Sequence, residues 1–375
     1  MPDVVIAGAG PAGAIAALVL ARAGVKVALI DRARFPRPKL CGDSINPGAL
    51  AVLRRLDLSH VTEGGLLLDG MLVSGEGGVR VTGLYGGGRS GIALRRDVLD
   101  VRLVEAAAAA GAVVEEDVLV RGPELSADGK STIGVRIAAP VGHDVRRLAR
   151  VTIAADGRQS RVARALRLSR NPGKPRRWAV GSVFRGVTGL SALGEMHVRR
   201  RCYLGVAPLP DGTANACVVT SETGLLKDPD LLLQTLRRDP ELGRRFARAE
   251  MLAAPTVLGP LAVDAVAAGM PGLLLAGDAA GFIDPMTGDG LRFAFRGGEL
   301  AAQFAIEALE GRASTAHVRL LAARQREFGN KWRFNRVLRA LVSSPSAVRA
   351  AGLGASIAPP MLAHVVAYAG DVQFA

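Results

Sequence analysis

The sequence predicts a mixed α/β fold in which a parallel-sheet domain is interleaved with a β-rich domain and followed by a helical C-terminus. Residues 4–31 run without a gap through an apolar strand, a glycine turn, a helix, a second strand and an acidic residue. That order is typical of a βαβ unit that binds a dinucleotide. Short alternating strands with glycine breaks at residues 66–93 and 178–220 indicate a second, β-rich unit.

Length and these patterns give the expected domain boundaries. A chain of 375 residues, 49% of them hydrophobic, is long enough for a large core and too long for one compact unit. We expect a discontinuous nucleotide-binding domain of residues 1–65, 96–170 and 261–314, a β-rich substrate domain of residues 66–95 and 171–260, and a helical segment of residues 315–375.

The glycine turn is the first predicted binding element. Val4–Ala7 is uniformly apolar, as expected of a parallel strand buried on both faces. Gly8 permits a tight turn, Gly10 lets the backbone approach a pyrophosphate, and Gly13 lets the next helix pack close to the strand. Ala12 fits the start of that helix, whose free N–H groups and positive dipole end form an anion site.

The second strand brings an acidic residue to the same site. The helix ends near Gly24, and a strand at residues 25–30 places Asp31 where it can bind ribose hydroxyls. Arg32, the next residue, is included among the expected cofactor ligands. The sequence shows no pocket for a 2′-phosphate, which favours FAD or NAD.

Composition argues against several classes of protein. The formal net charge is +14, but the arginines are scattered and aromatic residues make up only 4%, which disfavours a nucleic-acid stacking surface. Cys41, Cys202 and Cys217 show neither metal-ligand spacing nor a disulfide framework, as in a reducing cytosol. An early first strand leaves no room for a signal peptide, and no apolar run reaches the ~18 residues of a membrane span. We therefore expect a cytoplasmic protein without a metal ion or a transmembrane segment.

The remaining elements follow in chain order. Prolines enforce an extended loop after residue 31, Pro47 opens a helix, and residues 96–111 read as a strong helix. An apolar strand from residue 151 ends in Asp156 and Gly157, and a serine-capped helix follows. Residues 228–251 are predicted to be helical. A final apolar strand leads into a second glycine loop and a long helix. This second glycine loop is expected to supply the other half of the site.

Three motifs together resemble the FAD-binding set of one flavoprotein superfamily. They are GAGPAG at residues 8–13, ADG at 155–157 and GDAAGFIDPMTGDG at 277–290. The superfamily includes class A flavoprotein monooxygenases, geranylgeranyl reductases and flavin-dependent halogenases. The resemblance covers nearly the whole chain and implies a Rossmann-like FAD-binding domain interleaved with a β-sheet substrate domain, as in para-hydroxybenzoate hydroxylase.

The resemblance also implies which residues bind non-covalent FAD. Arg96 matches an arginine that contacts the FAD ribose and pyrophosphate, and Asp278 matches the acid at the ribityl and phosphate groups. The loop through Pro285, Gly288 and Gly290 carries backbone N–H groups toward the flavin ring. The helix after it aims its dipole at the flavin N1/C2 carbonyl. The other implied ligands are Cys41, Gly42, Asp156, Gly157, Gly277 and Leu291.

The sequence departs from each subfamily. KLCGDSINPGAL at residues 39–50 resembles the KxCG loop of the reductases, and GDAAGFIDP resembles reductases and halogenases more than hydroxylases. PLPDG at residues 208–212 resembles the hydroxylases. The WxWxIP stretch of halogenases and the YxWxFP stretch of reductases fall at residues 203–208, where only Tyr203 and Pro208 of the reductase pattern remain.

Two reactions are compatible with these motifs. In a monooxygenase, reduced flavin and oxygen hydroxylate or epoxidise a bulky hydrophobic, aromatic or polyketide-like metabolite through a C4a-hydroperoxide. In a geranylgeranyl reductase-like enzyme, reduced flavin reduces a carbon–carbon double bond, and Cys41 supplies or relays a proton. NADPH or NADH is the expected electron donor. FAD binding without turnover is a third hypothesis, which the intact flavin loops disfavour.

Two positions at which the halogenases and reductases have large aromatic residues favour oxygenation over reduction. Gly205 and Ala207 replace two large rings, and we expect them to leave a wider pocket than a slim isoprenoid chain requires. Tyr203 and Asn46 are expected to line the same pocket, with apolar walls around a hydrophobic substrate.

The candidate catalytic residues lie in the flavin loops. Cys41 is followed closely by Asp43, and Pro285 lies in the second glycine loop. Arg34, Arg37 and Lys39 are the neighbours expected to favour a Cys41 thiolate. Two alternatives stay open, namely that Cys41 is simply a small residue that fits and that Asp43 is a solvated loop acid.

None of the five histidines lies in a flavin motif. His197 is interpreted as a surface strand residue beside the run Arg199–Arg201. That run is interpreted as a solvated face or, alternatively, as a docking site for an acidic substrate-carrier protein. A separate flavin reductase is the other protein partner considered.

Overall fold

A six-stranded sheet is the central layer of the computed structural model, which describes residues 1–139, 142–173, 176–222, 224–342, 364–365 and 367–370. The strands are parallel except for the first pair, and their order is Gly269–Met270, Leu273–Leu275, Val151–Ala154, Val4–Ala7, Val27–Ile30 and Val113–Glu115. Every residue of Val4–Ala7 is buried, because both faces of the sheet are covered.

Each face of this sheet packs against a different layer. Val4 and Ile6 face a helical layer formed by Pro11–Arg22, Arg96–Ala109, Gly290–Glu307 and Ala316–Val342. Val5 and Ala7 face a three-stranded antiparallel sheet formed by Val120–Leu125, Thr132–Ile137 and Val145–Leu148. The strand at Val145–Leu148 is absent from the prediction.

An eight-stranded mixed sheet forms the β-rich layer. Its strands are Glu250–Met251, Thr256–Leu258, Trp178–Arg185, Ala214–Thr220, Cys202–Pro208, Leu193–Arg199, Gly70–Ser74 and Arg80–Leu84. A short sheet joins Ser44–Ile45, Gly91–Ala93 and Leu66–Leu68, and another joins Ser169–Arg170 and Asp264–Ala265. The remaining α-helices of the described chain are Pro47–Arg55, Arg161–Ala165, Gly224–Lys227 and Leu232–Arg238. The predicted α/β class is confirmed.

The predicted helix at residues 228–251 is mostly wrong. Only Leu232–Arg238 is α-helical, and Glu250–Met251 is a strand paired with Trp178–Arg185. Pro240 has no N–H for a helical hydrogen bond. Gly243 lies so close to the end of the helix that a Cβ there would be 2.5 Å from the Arg237 carbonyl oxygen. The chain therefore turns back instead of continuing the helix.

The C-terminal prediction is partly covered by the structure. Ala316–Val342 is a long helix, whereas residues 343–363, 366 and 371–375 lie outside the described residues. None of the helices in the described part of the chain is both long and apolar enough to cross a membrane.

Close helix packing holds the two glycine motifs together. A Cβ on Gly298 would lie 2.2 Å from the carbonyl oxygen of Ala12, so the helices Gly290–Glu307 and Pro11–Arg22 touch through backbone atoms. A Cβ on Gly277 would likewise lie 2.8 Å from the Ala12 methyl carbon. The second glycine loop is thereby fixed against the first.

The contact at Gly298 gives a test of this packing. We expect Gly298→Ala to lower the free energy of unfolding by about 1–3 kcal/mol, because the methyl group forces the two helices apart. Gly329→Ala is the matched control, since nothing lies within 4 Å of a Cβ there, and a gain of up to about 1 kcal/mol is expected from helix propensity. Urea unfolding of both FAD-loaded variants measures the difference. Equal stability of the two would contradict the packing described above.

Candidate functional site

A cavity of about 1300 Å³ extends from the glycine turns to the eight-stranded sheet. It is larger than the roughly 300–1,000 Å³ of a pocket for one small ligand, and so has room for a cofactor and a substrate. Nearly all predicted site residues line it, namely Gly8, Gly10, Ala12, Asp31, Arg32, Cys41, Gly42, Asn46, Arg96, Asp156, Gly157, Tyr203, Gly205, Ala207, Gly277, Asp278, Pro285, Gly288, Gly290 and Leu291. Gly13 and Asp43 are not part of its lining.

The three glycines of the first turn play different roles. Gly8 has a φ of +98°, and a Cβ there would lie 2.5 Å from the Ala155 carbonyl oxygen. A Cβ on Gly13 would lie 1.8 Å from the carbonyl oxygen of Gly8. A Cβ on Gly10 would meet only the Arg37 guanidinium, at 3.5 Å, and would otherwise point into the cavity. Gly8 and Gly13 are therefore needed for packing, and Gly10 leaves room for a ligand beside the helix N-terminus.

Two arginines share one carboxylate beside that space. Arg96 donates from Nε and Nη2 to the two oxygens of Asp100, at 2.9 and 3.0 Å. Arg37 Nη2 lies 3.5 Å from the same carboxylate, and its buried Nε has no hydrogen-bond partner among the described residues. An unsatisfied donor at the cavity fits an anionic ligand such as the pyrophosphate of FAD.

A second pair of cations lies near the other glycine loop. Arg158 Nε is 3.7 Å from Asp278 Oδ2, and both residues line the cavity together with Lys39. The Lys39 side chain is exposed to the open space of the cavity, and partial desolvation by the surrounding walls, together with the neighbouring Arg158, lowers its pKa to about 8. Here too the positive groups outnumber the carboxylate. Arg37, Lys39 and Arg158 were not predicted to be cofactor ligands, because nothing in a scattered set of basic residues shows which of them converge.

Asp31 is held by the first glycine turn. Its oxygens accept hydrogen bonds from the backbone N–H groups of Ala9, at 2.7 Å, and Ala33, at 2.9 Å. Each carboxylate oxygen has a further lone pair, and the residue lines the cavity, so it can also accept from a ribose hydroxyl.

The structure gives Asp156 a structural role. Its Oδ2 accepts from the Arg161 backbone N–H at 2.8 Å, at the start of the helix Arg161–Ala165. Its buried Oδ1 has no partner within the described chain, and burial raises the pKa of this carboxyl group. Asp156 thus orients the turn that contains Gly157 and also borders the cavity.

Asp43 anchors the loop that carries Cys41. One carboxylate oxygen accepts from the Arg96 backbone N–H at 3.1 Å, and the other accepts from Asn215 Nδ2 at 2.6 Å. The Asn215 amide also donates to the Cys41 carbonyl at 2.9 Å. Asp43 is buried, with a left-handed φ of +49°, and burial raises its pKa to about 6. The alternative of a solvated loop acid is therefore wrong, and Asn215 is a positioning residue that the sequence analysis missed.

Cys41 lies on the cavity wall next to an arginine. Its thiol is an electrostatic neighbour of the Arg96 guanidinium, and Arg96 and Cys217 line the cavity as well. Arg34, which was expected to be an electropositive neighbour, is instead exposed and forms an ion pair with Asp117 at 2.8 Å. The cation beside the thiol is thus supplied by Arg96, which is distant in sequence.

Tyr203 holds the second glycine loop. Its hydroxyl donates to Asp284 Oδ1 at 2.6 Å, and the same oxygen accepts from the Met286 backbone N–H at 3.2 Å. Arg177 Nη1 lies 3.3 Å from the other oxygen of Asp284. Burial raises the pKa of Tyr203 well above its usual value, so the phenol stays protonated. Tyr203 positions the turn Pro285–Thr287 and also lines the cavity, as expected.

The expected gap at Gly205 is partly filled. A Cβ on Gly205 would lie 3.3 Å from Cys217 Sγ, so the thiol occupies space next to the missing aromatic ring. Ala207 lies two residues along the same strand and lines the cavity. The widening inferred from the sequence is therefore limited on the Gly205 side by a neighbour that sequence pattern did not reveal.

Asn46 and Lys331 connect the cavity wall to distant elements. Asn46 accepts from the Ala49 backbone N–H at 2.8 Å, as the N-cap of Pro47–Arg55, and donates to Asp289 at 3.3 Å. Lys331 Nζ lies 3.2 Å from the oxygen that Asn46 contacts, Asp289 Oδ1, and donates to the Ala369 carbonyl at 2.9 Å. Residues 365, 369 and 370 thereby form an outer wall of the cavity.

The interpretation of His197 as a surface residue is wrong. It is 1% exposed and lies between two carboxylates, with Nε2 2.9 Å from Glu195 and Nδ1 2.9 Å from Glu241. Arg199, from the arginine run, is bound by Asp239 at 2.6 and 3.1 Å, whereas Arg200 is exposed. This cluster ties the eight-stranded sheet to the segment after Arg238. An acidic carrier protein stays a prediction.

The chain matches a known family model over more than half its length. Residues 1–224 match the model described as FAD binding domain. This range contains the first glycine turn, the Cys41 loop and the strand that carries Tyr203.

Curated relatives match over most of the chain. Digeranylgeranylglycerophospholipid reductase 1 of Methanopyrus kandleri is 31% identical over 82% of this chain and 81% of its own length. Menaquinone reductase of Mycobacterium tuberculosis is 32% identical over 80% of this chain and 76% of its own length. Conditioned medium factor receptor 1 of Dictyostelium discoideum is 29% identical over 83% of this chain, which spans 64% of that protein.

A solved structure matches nearly the whole fold. The flavin-dependent brominase Bmp2 superposes with a TM-score of 0.84 over 99% of this chain and 93% of its own, at 21% sequence identity. At that level of identity, the likeness shows a shared fold.

The open side of Gly10 predicts a selective effect on the cofactor. Gly10→Ala should weaken FAD binding by about 1–3 kcal/mol, because the methyl group occupies the space beside the helix N-terminus. The FAD-free protein should keep its thermal stability, since only the Arg37 side chain is nearby. Gly8→Ala, by contrast, should destabilise the fold itself. FAD titration and thermal melts of both variants measure this, and unchanged FAD affinity in Gly10→Ala would place the pyrophosphate elsewhere.

The raised pKa of Asp43 predicts a pH dependence. The folded protein binds the Asp43 proton more tightly than the unfolded chain, so this residue stabilises the fold at low pH. That contribution is lost as pH rises from about 4 to about 6, and amounts to about 2–3 kcal/mol. Urea unfolding of wild type and Asp43→Asn across pH 4–7 isolates it. The prediction is contradicted if the free energy of unfolding of wild type, relative to that of Asp43→Asn, increases as pH rises. In that case the hydrogen bonds stabilise the carboxylate more than burial destabilises it.

Proposed function

The chain belongs to the FAD binding domain family, and we propose that this FAD-dependent oxidoreductase reduces a carbon–carbon double bond in a hydrophobic, polyprenyl-bearing substrate. From the sequence, oxygenation is expected ahead of reduction. Two later findings reverse the order, namely the relatives and the environment of Cys41.

The relatives support a reductase. Two of them, at 31% and 32% identity over four fifths of this chain, are named as reductases of a digeranylgeranyl lipid and of menaquinone. The solved halogenase fold shares the architecture at lower identity, so it does not favour one reaction.

The position of Cys41 on the cavity wall, which Arg96 also lines, is the observation that carries the proposal. When bound and reduced, FAD supplies a hydride, and reduction of a double bond then needs one proton for the second carbon. The Cys41 thiol is the donor that we assign, because it lies on the cavity wall. The Arg96 guanidinium, which lines the same cavity, is the positive charge that we propose offsets the negative charge left on the sulfur after proton transfer. Water returns the proton, and NADPH or NADH is the proposed source of electrons.

The cavity supports an apolar substrate. Met196, Val198 and Val219 face it from the eight-stranded sheet, and Leu338 and Leu341 face it from the long C-terminal helix. A long hydrocarbon chain can be buried against such walls without unpaired polar groups. The same walls leave oxygenation as a second candidate, because an apolar-walled cavity of about 1300 Å³ also suits a bulky substrate, and oxygenation by the flavin needs no acid or base from the protein.

An anaerobic assay separates the two reactions. Photoreduced, FAD-loaded protein is mixed with menaquinone without oxygen, and the product is analysed by mass spectrometry. The product is reoxidised in air before analysis, which returns any menaquinol to the quinone, and we expect it still to carry two additional hydrogens in its side chain. Cys41→Ala should keep its FAD and slow product formation by about 10²-fold, the usual size of a general-acid contribution. Cys202→Ala is the matched control, because Cys202 does not line the cavity, and its rate should be unchanged.

Two results would contradict this proposal. Incorporation of oxygen from ¹⁸O₂, with no product under anaerobic conditions, would establish oxygenation. Equal rates for Cys41→Ala and wild type would remove the thiol from the proton path, while leaving the assignment of FAD unaffected.

A further inference from the structure

Arg324 is a buried cation for which the described chain supplies no carboxylate. The residue lies in the helix Ala316–Val342 and is 3% exposed. Nη2 donates to the Ala280 carbonyl at 3.0 Å, and the buried Nη1 has no hydrogen-bond partner there. The guanidinium lies 5.6 and 5.5 Å from the ring centroids of Phe328 and Trp332. Aromatic faces compensate a buried guanidinium only in part, so its charge remains costly.

This charge lies directly behind the second glycine turn. Ala280 is the last residue of the turn Gly277–Ala280, and Gly277 and Asp278 line the cavity on its other side. A Cβ on Gly297 would lie 3.2 Å from Arg324 Nη1 and 3.7 Å from the Gly277 nitrogen. The glycine at residue 297 therefore lets the guanidinium approach the turn closely.

The cavity side of the turn is already rich in positive charge. Arg37 and Arg96 share Asp100, and Arg158 is 3.7 Å from Asp278. Arg324 adds a further positive charge without a carboxylate of its own. A dinucleotide with a doubly charged pyrophosphate is the ligand that balances this excess, because buried charges interact strongly across short, poorly solvated distances.

We propose that Arg324 is a positioning residue for FAD, whose buried charge is balanced by the cofactor's pyrophosphate across the Gly277–Ala280 turn. Folding and cofactor binding are then coupled through this side chain. The guanidinium destabilises the FAD-free protein and strengthens FAD binding. The inference rests on FAD binding and not on the reaction, so the outcome of the double-bond assay does not affect its test.

The test compares a neutral and a charged replacement. Arg324→Met removes the charge and keeps an apolar chain, and it should raise the FAD dissociation constant by about tenfold. The melting temperature without FAD should stay constant or rise by about 2 °C, so the shift induced by FAD becomes smaller. Arg324→Lys should stay within about threefold of wild-type affinity. Arg326→Met, an exposed arginine on the same helix, is the matched control and should change neither quantity.

The competing hypothesis is a purely structural brace between Arg324 and the Ala280 carbonyl. In that case Arg324→Met would lower the melting temperature equally with and without FAD, and FAD affinity would not change. That result would overturn the proposal. If Arg324→Met does not fold, Arg324→Gln is measured instead. A structural brace would also be established if both neutral variants failed to fold in saturating FAD while Arg324→Lys folded with wild-type stability. That result too would overturn the proposal.

Discussion

The backbone contact between the helices Pro11–Arg22 and Gly290–Glu307 is the constraint on which the rest of the site depends. It is possible only because residue 298 has no side chain, and it brings Gly277 against Ala12. The first and third sequence motifs, more than 260 residues apart, therefore become two sides of one cavity. Any residue with a Cβ at position 298 would separate the helix dipole at the first turn from the charges around the second.

Shared and unbalanced charges distinguish the cofactor end of the cavity from its substrate end. At the cofactor end, pairs of cations lie around single carboxylates, and Arg324 has no carboxylate within the described residues. At the substrate end, apolar side chains of the eight-stranded sheet face the cavity, and the charged cluster around His197 lies between this sheet and the segment after Arg238. The proposed arrangement, with a charged cofactor at one end and a hydrocarbon substrate at the other, would give each ligand its own environment within one space.

The predicted fold class was accurate, and most of the predicted site residues line one cavity, because the signals for both are local. Val4–Ala7, the glycine turn and Asp31 follow one another within one βαβ unit, and each glycine has a requirement set by its immediate neighbours. The predicted helix at residues 228–251 failed because a tight turn after Asp239 competes with a weak helical pattern. The strand Val145–Leu148 was not predicted, because its exposed, arginine-rich residues show no alternation of apolar and polar character.

The sequence by itself determined the dinucleotide turn, the order of the three motifs and hence the class of cofactor, because glycine spacing and strand ends specify backbone geometry directly. Only the tertiary structure decided what the polar residues do. Asp43 is bound by Asn215, 172 residues away, Cys41 takes its cation from Arg96, and Cys217 fills space beside Gly205. Such pairings depend on which side chains converge when distant strands and loops pack, and no spacing within the chain encodes that convergence.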